Sequence, residues 1–259
     1  MVQDRKLTQD LAWQTFLRDT RTLFRGSFLG WFWIIAPTLA NSAVWIFLSS
    51  SVLTLDSIST PYPLFVFTGN LLWTAFNGGL IGGLSVLNEA RGTLSKVSFP
   101  HESLVLVVLY KVLLNTCITA LFLPVFLLLY PPAWRAEMLL FPAGLLVTLL
   151  FGLGLGLILV PVAALFQDLS RGIQLCMRFA FFLTPVVFPL PASGLARSVM
   201  LWNPVTPLIV GSRSWLLGEE QADILSILSL TACSLGLLVL AVLALKISLP
   251  HIIERVSGS

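Results

Sequence analysis

The sequence predicts an all-α membrane protein. The expected parts are an N-terminal amphipathic helix lying in the interface, six transmembrane helices, a short cytoplasmic helix between the second and third spans, and two short re-entrant half-helices before the last span. Three observations carry this reading. Apolar residues make up 57% of the 259-residue chain and charged residues only 10%, with a mean hydropathy of +0.93. Soluble domains carry about 25% charged residues, so polar side chains are too few here to cover a water-facing surface. The apolar residues form six long stretches, and the basic residues cluster at alternate ends of them.

Spans of roughly 20 residues leave room for six or seven of them and short loops, and for no large extramembrane domain; the chain reads as one transmembrane unit over residues 1–259. A net charge of +3 would suit nucleic acid in another context, but the charges lie at segment ends and make no basic stripe. Nucleic acid is not an expected partner; membrane lipids are. Cys117, Cys176 and Cys233 each fall within an apolar run without metal-ligand spacing, and read as inert packing residues. Five Arg or Lys precede a first apolar run that is long and has no small-residue cleavage site, so the N-terminus is expected to stay as an anchor.

Taken in order, residues 4–25 read as the interfacial helix. At 100° per residue Ala12, Trp13, Phe16, Leu17, Leu23 and Phe24 share one face, and Arg18, Arg21 and Arg25 the other. The aromatics would enter the acyl boundary while the arginines meet anionic lipid. The six apolar stretches follow at about 31–53, 63–87, 103–129, 138–165, 173–190 and 224–246. Lys111 and Arg178 are the charges inside them, each about two turns from a cytoplasmic end and able to snorkel. Glycine pairs Gly78/Gly82, Gly79/Gly83 and Gly152/Gly156 have the spacing that lets helices approach closely, and read as packing positions. The segment 190–222 holds apolar pieces at 195–202 and 205–217, each too short to span, broken by Pro189, Pro191, Pro204 and Pro207. Two half-helices dipping into the outer face fit this pattern if they pack against protein or a wet cavity. A single irregular seventh span is the alternative, and it would move the C-terminus outside.

Orientation follows from the basic residues. With the N-terminus inside, twelve of the fifteen Lys and Arg fall on cytoplasmic segments, and only Arg135, Arg197 and Arg213 on external ones. That asymmetry places both termini in the cytoplasm.

The chemistry absent from the chain narrows its class. It has no GxxxxGK[ST] loop for a nucleotide, no HExxH, no GxSxG, and no paired carboxylates within a span. A carboxylate inside a span normally marks proton or ion coupling, so a secondary transporter is disfavoured. A transporter without its own energy source must take energy from a partner. The candidate contact is Asn88-Glu-Ala-Arg-Gly-Thr-Leu-Ser-Lys-Val-Ser-Phe-Pro100, the longest polar stretch between spans on the cytoplasmic side. It is long enough for two to three helical turns, and Pro100 ends it. A short helix held between two spans can carry force; an ordinary solvated loop has the same composition.

Several segments together resemble the permease subunits of ABC transporters that export O-antigen, capsule or teichoic acid chains. Arg25-x-Ser27-x-Leu29-Gly30-x-x-Trp33 resembles the passage from interfacial helix to first span. Pro61-Tyr-Pro-Leu-Phe-Val-Phe-Thr-Gly69 with Trp73 resembles the second span, and Asn88 to Pro100 the family's coupling helix. Phe166-Gln-Asp168 is similar to the turn before the fifth span, Leu183-Thr-Pro-Val-Val-Phe-Pro189 to its end, and Leu201-Trp-Asn-Pro-Val-Thr-Pro207 to the external gate region. No single motif is specific; six in the same order on one topology are. The chain departs from the pattern at His101-Glu102, where Arg-Glu is usual, and at Gln167, where Arg often stands.

The resemblance implies a homodimer in the bacterial inner membrane, each copy docking one separate nucleotide-binding subunit that holds ATP and magnesium, so that this chain itself is no enzyme and carries no cofactor or metal. It implies docking through Glu89, Arg91, Lys96, Phe99 and Glu102, and an external gate at Trp202, Asn203, Pro204 and Pro207. The cargo would be a lipid-linked cell-surface polysaccharide. Aromatic faces suit a sliding sugar chain, which makes Trp33, Trp45, Trp73, Phe76, Phe179, Phe181 and Phe182 candidates for its path, although Trp also anchors at interfaces and Phe also fills cores. Asn41, Asn70, Asn77 and Asn115 could contact sugar or tie helices together. Two other classes compete: a type-2 ABC permease for a drug or lipid, and a multispan acyl- or glycosyltransferase seeded by Asp168 and His101.

Overall fold

Tyr62–Val86, Ser103–Leu129 and Ala136–Leu165 are each long and apolar enough to cross a bilayer. Shorter apolar helical stretches run over Phe32–Leu48 and Thr231–Leu245. They belong to a computed structural model that describes residues 2–25, 29–30, 32–51, 61–94, 101–218 and 224–257. In chain order the helices are α1 (Val2–Arg25), α2 (Phe32–Ser51), α3 (Tyr62–Leu94), α4 (His101–Ala120), α5 (Leu123–Leu129), a 3-10 turn (Ala136–Leu140), α6 (Phe141–Leu165), α7 (Gln167–Phe182), α8 (Leu195–Trp202), α9 (Val205–Leu217) and α10 (Ile224–Ser257). Among the described residues there is no strand. A membrane-embedded helical protein is what the composition demands, since in hydrocarbon every backbone group must be satisfied within its own helix.

The centre of the bundle is the pair α3 and α6. Gly79 and Gly83 on α3 meet Gly152 and Gly156 on α6 so closely that a Cβ at any of the four would strike the facing backbone. A side chain at Gly79 would meet the Leu149 carbonyl, and one at Gly152 the Phe76 carbonyl. Small residues at four-residue spacing are the means by which helices attract one another where lipid removes the hydrophobic drive between them. Gly78 and Gly82, one residue earlier in register, face α4 at Val112 and Val108. On the other side of α6, Gly154 receives Leu237 of α10.

Two hydroxyls inside this core are closed within their own helices. Thr68 donates to the Leu64 carbonyl (2.8 Å) and Thr148 to that of Gly144 (2.8 Å). The long helix α3, at about 1.5 Å per residue, exceeds the hydrocarbon thickness of about 30 Å, so it extends beyond the apolar layer. Its last two turns contain Asn88–Leu94. That part of the expected cytoplasmic helix therefore continues α3 without a break, and residues 95–100 lie outside the described residues.

Four sequence expectations change in detail. The expected fifth span at 173–190 is instead a helix over Gln167–Phe182, followed by an irregular turn. Pro185 lacks the N–H that would continue the ladder and disfavours helical backbone at Thr184. Helix α1 starts at Val2, and part of its apolar face meets protein as well as lipid: Ala12 and Phe16 are buried, with Phe16 5.8 Å from the Tyr110 ring of α4. Beside them Lys111 donates to Asp19 at 2.9 Å, so this lysine is paired within the protein instead of snorkelling. The three cysteines are exposed on the surface of the chain, where lipid or another chain would cover them.

Helices α8 and α9 coincide with the two apolar pieces at 195–202 and 205–217. Helix α9 packs against α6, with Gly144 under Ser212. It ends at Gly218, whose φ of 72° places it in the left-handed conformation that glycine adopts without penalty.

Candidate functional site

One face each of α2, α3 and α7 encloses a cavity of about 690 Å³. The spacing explains how three helices meet around it. Asn41, Val44 and Trp45 recur at three and four residues on α2; Trp73, Asn77 and Ile81 recur at four on α3. Helix α7 supplies Gln174, Met177, Arg178, Phe181 and Phe182, again on one helical face. The aromatic wall is built edge to face. Trp73 and Phe181 lie 5.7 Å apart at 79°, Phe181 and Phe182 5.3 Å apart at 87°, and Trp45 and Phe182 6.3 Å apart at 62°. Edge-on contacts hold the rings in place without stacking one face against another.

The polar groups divide into two sets. Asn41 donates to Asn70 (2.9 Å), which donates to Ser42 (2.9 Å), and Thr38 meets Thr74 at 3.3 Å; these tie α2 to α3. Asn77 belongs to the other set. Its Oδ1 is shut from solvent, and within the chain it accepts no hydrogen bond. Arg178 and Gln174 complete that set, and among the described residues no Asp or Glu lines the cavity.

Beyond the end of α7, the turn at 183–188 is held from several sides. Arg213 of α9, only 5% exposed, donates through Nη1 to the carbonyls of Pro185 (2.9 Å) and Val186 (3.2 Å). Its guanidinium lies 3.7 Å over the Phe65 ring of α3. Tyr62 Oη donates to the Val187 carbonyl (3.0 Å), and Asn203 Nδ2 donates to Thr184 Oγ1 (2.7 Å). Asn203 Oδ1 also accepts from the Val205 amide at the start of α9 (3.0 Å). The Val186 carbonyl sits where any Cβ at Gly69 would be. Phe188 packs on Trp45 at 5.0 Å, which joins the turn to the cavity wall.

Against this geometry the sequence-selected residues sort as follows. Trp45, Trp73, Phe181 and Phe182 line one cavity. Phe76 is buried in the core between Trp73 and Phe151. Trp33 and Phe179 are exposed on the outside of the chain. Trp202 is 88% exposed, Pro204 caps the start of α9, and Pro207 lies in its first turn. Glu89 and Arg91 belong to the last turns of α3 and Glu102 to the first turn of α4, with side chains outside the described residues; Lys96 and Phe99 lie outside them altogether. Sequence reasoning missed Gln174 and Met177, and treated Arg178 only as a snorkelling charge. Their spacing from Phe181 at three, four and seven residues was the available signal. It also placed Arg213 among external charges, although an arginine inside an apolar helical piece calls for a buried partner.

An all-helical bundle built on a glycine seam, without a nucleotide loop and with an aromatic cavity beside it, describes the membrane half of a transporter. Residues 10–217 match the ABC-2 type transporter family, and the chain belongs to that family. Among curated proteins it is 32% identical over 229 residues to the O-antigen export system permease protein RfbA of Myxococcus xanthus, covering 85% of each chain. It is 23% identical over 234 residues to the protein of the same name from Klebsiella pneumoniae, covering 87% of each.

Proposed function

We propose that this chain is the transmembrane subunit of an ATP-driven exporter that moves a lipid-linked cell-surface polysaccharide across the bacterial inner membrane. Membership of the ABC-2 family and the likeness to two O-antigen export permeases support the transporter class and its cargo. The structural observation that carries the reading is the cavity wall of Trp45, Trp73, Phe181 and Phe182. Ring faces accept the C–H faces of pyranoses with few directional bonds, so a chain passing them can slide.

In this reading two copies stand side by side and each docks one separate ATPase subunit, which holds ATP and magnesium. Both termini face the cytoplasm, six segments span, and α8 and α9 dip into the outer face as the external gate around Trp202, Asn203, Pro204 and Pro207. The docking surface is the end of α3 with the segment after it, through Glu89, Arg91, Lys96, Phe99 and Glu102. Movement of that surface on ATP binding and hydrolysis would open a path between the two copies.

The test is ATPase activity in lipid of the chain co-expressed with its neighbouring ATP-binding subunit, beside Glu89→Lys and Lys96→Glu. A stable complex that hydrolyses ATP, and that dissociates or uncouples in both variants, is the expected result. Deletion of the gene should also remove a polysaccharide from the cell surface. Failure of any ATPase subunit to copurify, with no change in surface polysaccharide, would overturn the reading.

A further inference from the structure

The cavity contains one feature that a sugar-sliding wall does not require, the cation of Arg178. Helix α7 begins at an exposed polar end, where Asp168 and Arg171 lie 4.0 Å apart in solvent. Arg178 is seven residues beyond Arg171, or about 10 Å further along the helix at 1.5 Å per residue, and it faces the cavity beside Asn41 and Asn77. A charge inside an apolar stretch is unfavourable unless it pairs or lines a wet cavity, and its presence there marks a functional position. Lys111, the other cation inside an apolar stretch, has its carboxylate in Asp19. Arg178 pairs with no carboxylate among the described residues, and none lines the cavity.

We infer that the cavity between α2, α3 and α7 binds the glycosyl phosphate end of the exported chain, with Arg178 on the phosphoryl oxygens and Trp45 and Trp73 against the sugar ring. Both chemistries occur together in one 690 Å³ space. The guanidinium fork matches phosphoryl oxygens with paired, charge-assisted hydrogen bonds. A single cation also selects which part of the chain is held. A polymer charged at every repeat would be caught again at each step, whereas a phosphoryl group at one end is met once. Arg178 is thus a positioning residue for the start of transport. The inference rests on the exporter reading and assigns to one site the part of the substrate it recognises.

The test uses the full complex with its ATPase subunit in lipid nanodiscs and equilibrium binding of a radiolabelled polyprenyl diphosphate carrying one neutral hexose. The expected result is affinity about tenfold or more lower in Arg178→Gln, with a smaller loss in Arg178→Lys. Trp45→Ala should weaken the sugar-bearing probe and leave sugar-free polyprenyl diphosphate unaffected. Unaltered complex size and Tm report folding, and where Arg178→Gln does not assemble, Arg178→Lys carries the comparison. Equal affinity in wild type and the Arg178 variants overturns the inference, as does wild-type failure to bind the probe. Arg178-dependent binding confined to a free oligosaccharide of acidic sugars, or equally strong for inorganic phosphate, overturns the assignment to the chain end. Loss of surface polysaccharide on gene deletion is read separately, so the exporter reading can stand while this site fails.

Discussion

Two of the packing faces of α3 are built on opposite principles. Against α6, α3 presents Gly79 and Gly83, and the backbones close until nothing but hydrogen fits between them. Towards α2 and α7, the same helix presents Trp73 and Asn77, and a cavity of about 690 Å³ remains. One face has apolar neighbours and hydroxyls closed on their own helices; the other has free amide capacity, ring edges and a guanidinium. The seam gives the bundle its rigidity, and the hollow face gives it somewhere to hold a ligand. In a bilayer this division is natural, because close packing is the main source of helix association and a polar-lined gap survives only beside a rigid frame.

The strongest way to break the comparison is to fill the seam. Gly152→Leu places a branched side chain against the Phe76 carbonyl and the Leu80 amide, where no flexible atom can give way. Overpacking a core costs about 1–3 kcal/mol, and more where backbone must move. We expect little folded protein and a sharply lower Tm in detergent or lipid. Recovery of Gly152→Leu at wild-type yield and Tm would mean that the seam is not the frame.

Next in size is the hub that ties the turn at 183–188 to α9. Arg213→Ala leaves the Pro185 and Val186 carbonyls without their donor and the Phe65 face uncovered. Hydrogen bonds to charged groups contribute about 1.5–3 kcal/mol, and buried unmade partners add to the loss. A destabilisation of about 3 kcal/mol by thermal unfolding is expected, with Arg213→Lys intermediate because a compact ammonium cannot span both carbonyls while stacking on the ring. A variant as stable as wild type would detach the turn at 183–188 from α9.

Much of this architecture was legible from residue order. The glycine pairs, the N-terminal helix and the limits of α8 and α9 follow from spacing and from proline, since those signals are local. The early end of α7 was missed because apolar composition runs on through Val186–Phe188, and what stops the helix is Pro185 with a turn whose carbonyls are taken by Arg213 and Tyr62 from distant segments. The division of aromatics was only partly readable. Trp73 and Phe76 are three residues apart on one helix, yet one lines the cavity and the other fills the core, and only the placement of α6 and α7 decides between them. The pairing of Lys111 with Asp19 spans 92 residues, beyond the reach of any local pattern.

That ion pair gives a smaller effect with a defined pH sign. Burial alone would raise the Asp19 carboxyl, but the Lys111 ammonium and the neighbouring Arg18 outweigh it and hold the group below its ordinary value of 3.8. A carboxyl with a depressed folded value stabilises above about pH 3.8 and loses that contribution as pH falls through the lower folded value. The attachment of α1 to α4 should thus be flat through neutral pH and weaken only in strong acid. Partly exposed pairs contribute about 0.2–1 kcal/mol, so Asp19→Asn should loosen α1 modestly at pH 7 and flatten the acid limb. The emission of Trp13, which lies 5.8 Å from Tyr110, reports the contact by difference from Trp13→Phe. An unchanged acid limb in Asp19→Asn would assign the attachment to Phe16 and Ala12 alone.

The smallest stability effect separates frame from cavity most finely, because it compares two adjacent residues. Phe181 is buried between Trp73 and the core, whereas its neighbour Phe182 is exposed towards Trp45 and the cavity. Phe181→Leu removes packed ring area and should lower stability by about 1 kcal/mol. Phe182→Leu should stay within about 0.5 kcal/mol of wild type, as exposed substitutions do. For surface polysaccharide measured on whole cells, the order should reverse, with Phe182→Leu producing the greater loss for its cost in Tm, because it takes a ring face from the path without disturbing the helix that carries it. Equal losses of export and of Tm in both variants would place Phe182 with the frame and confine the cavity wall to Trp45, Trp73 and Phe181.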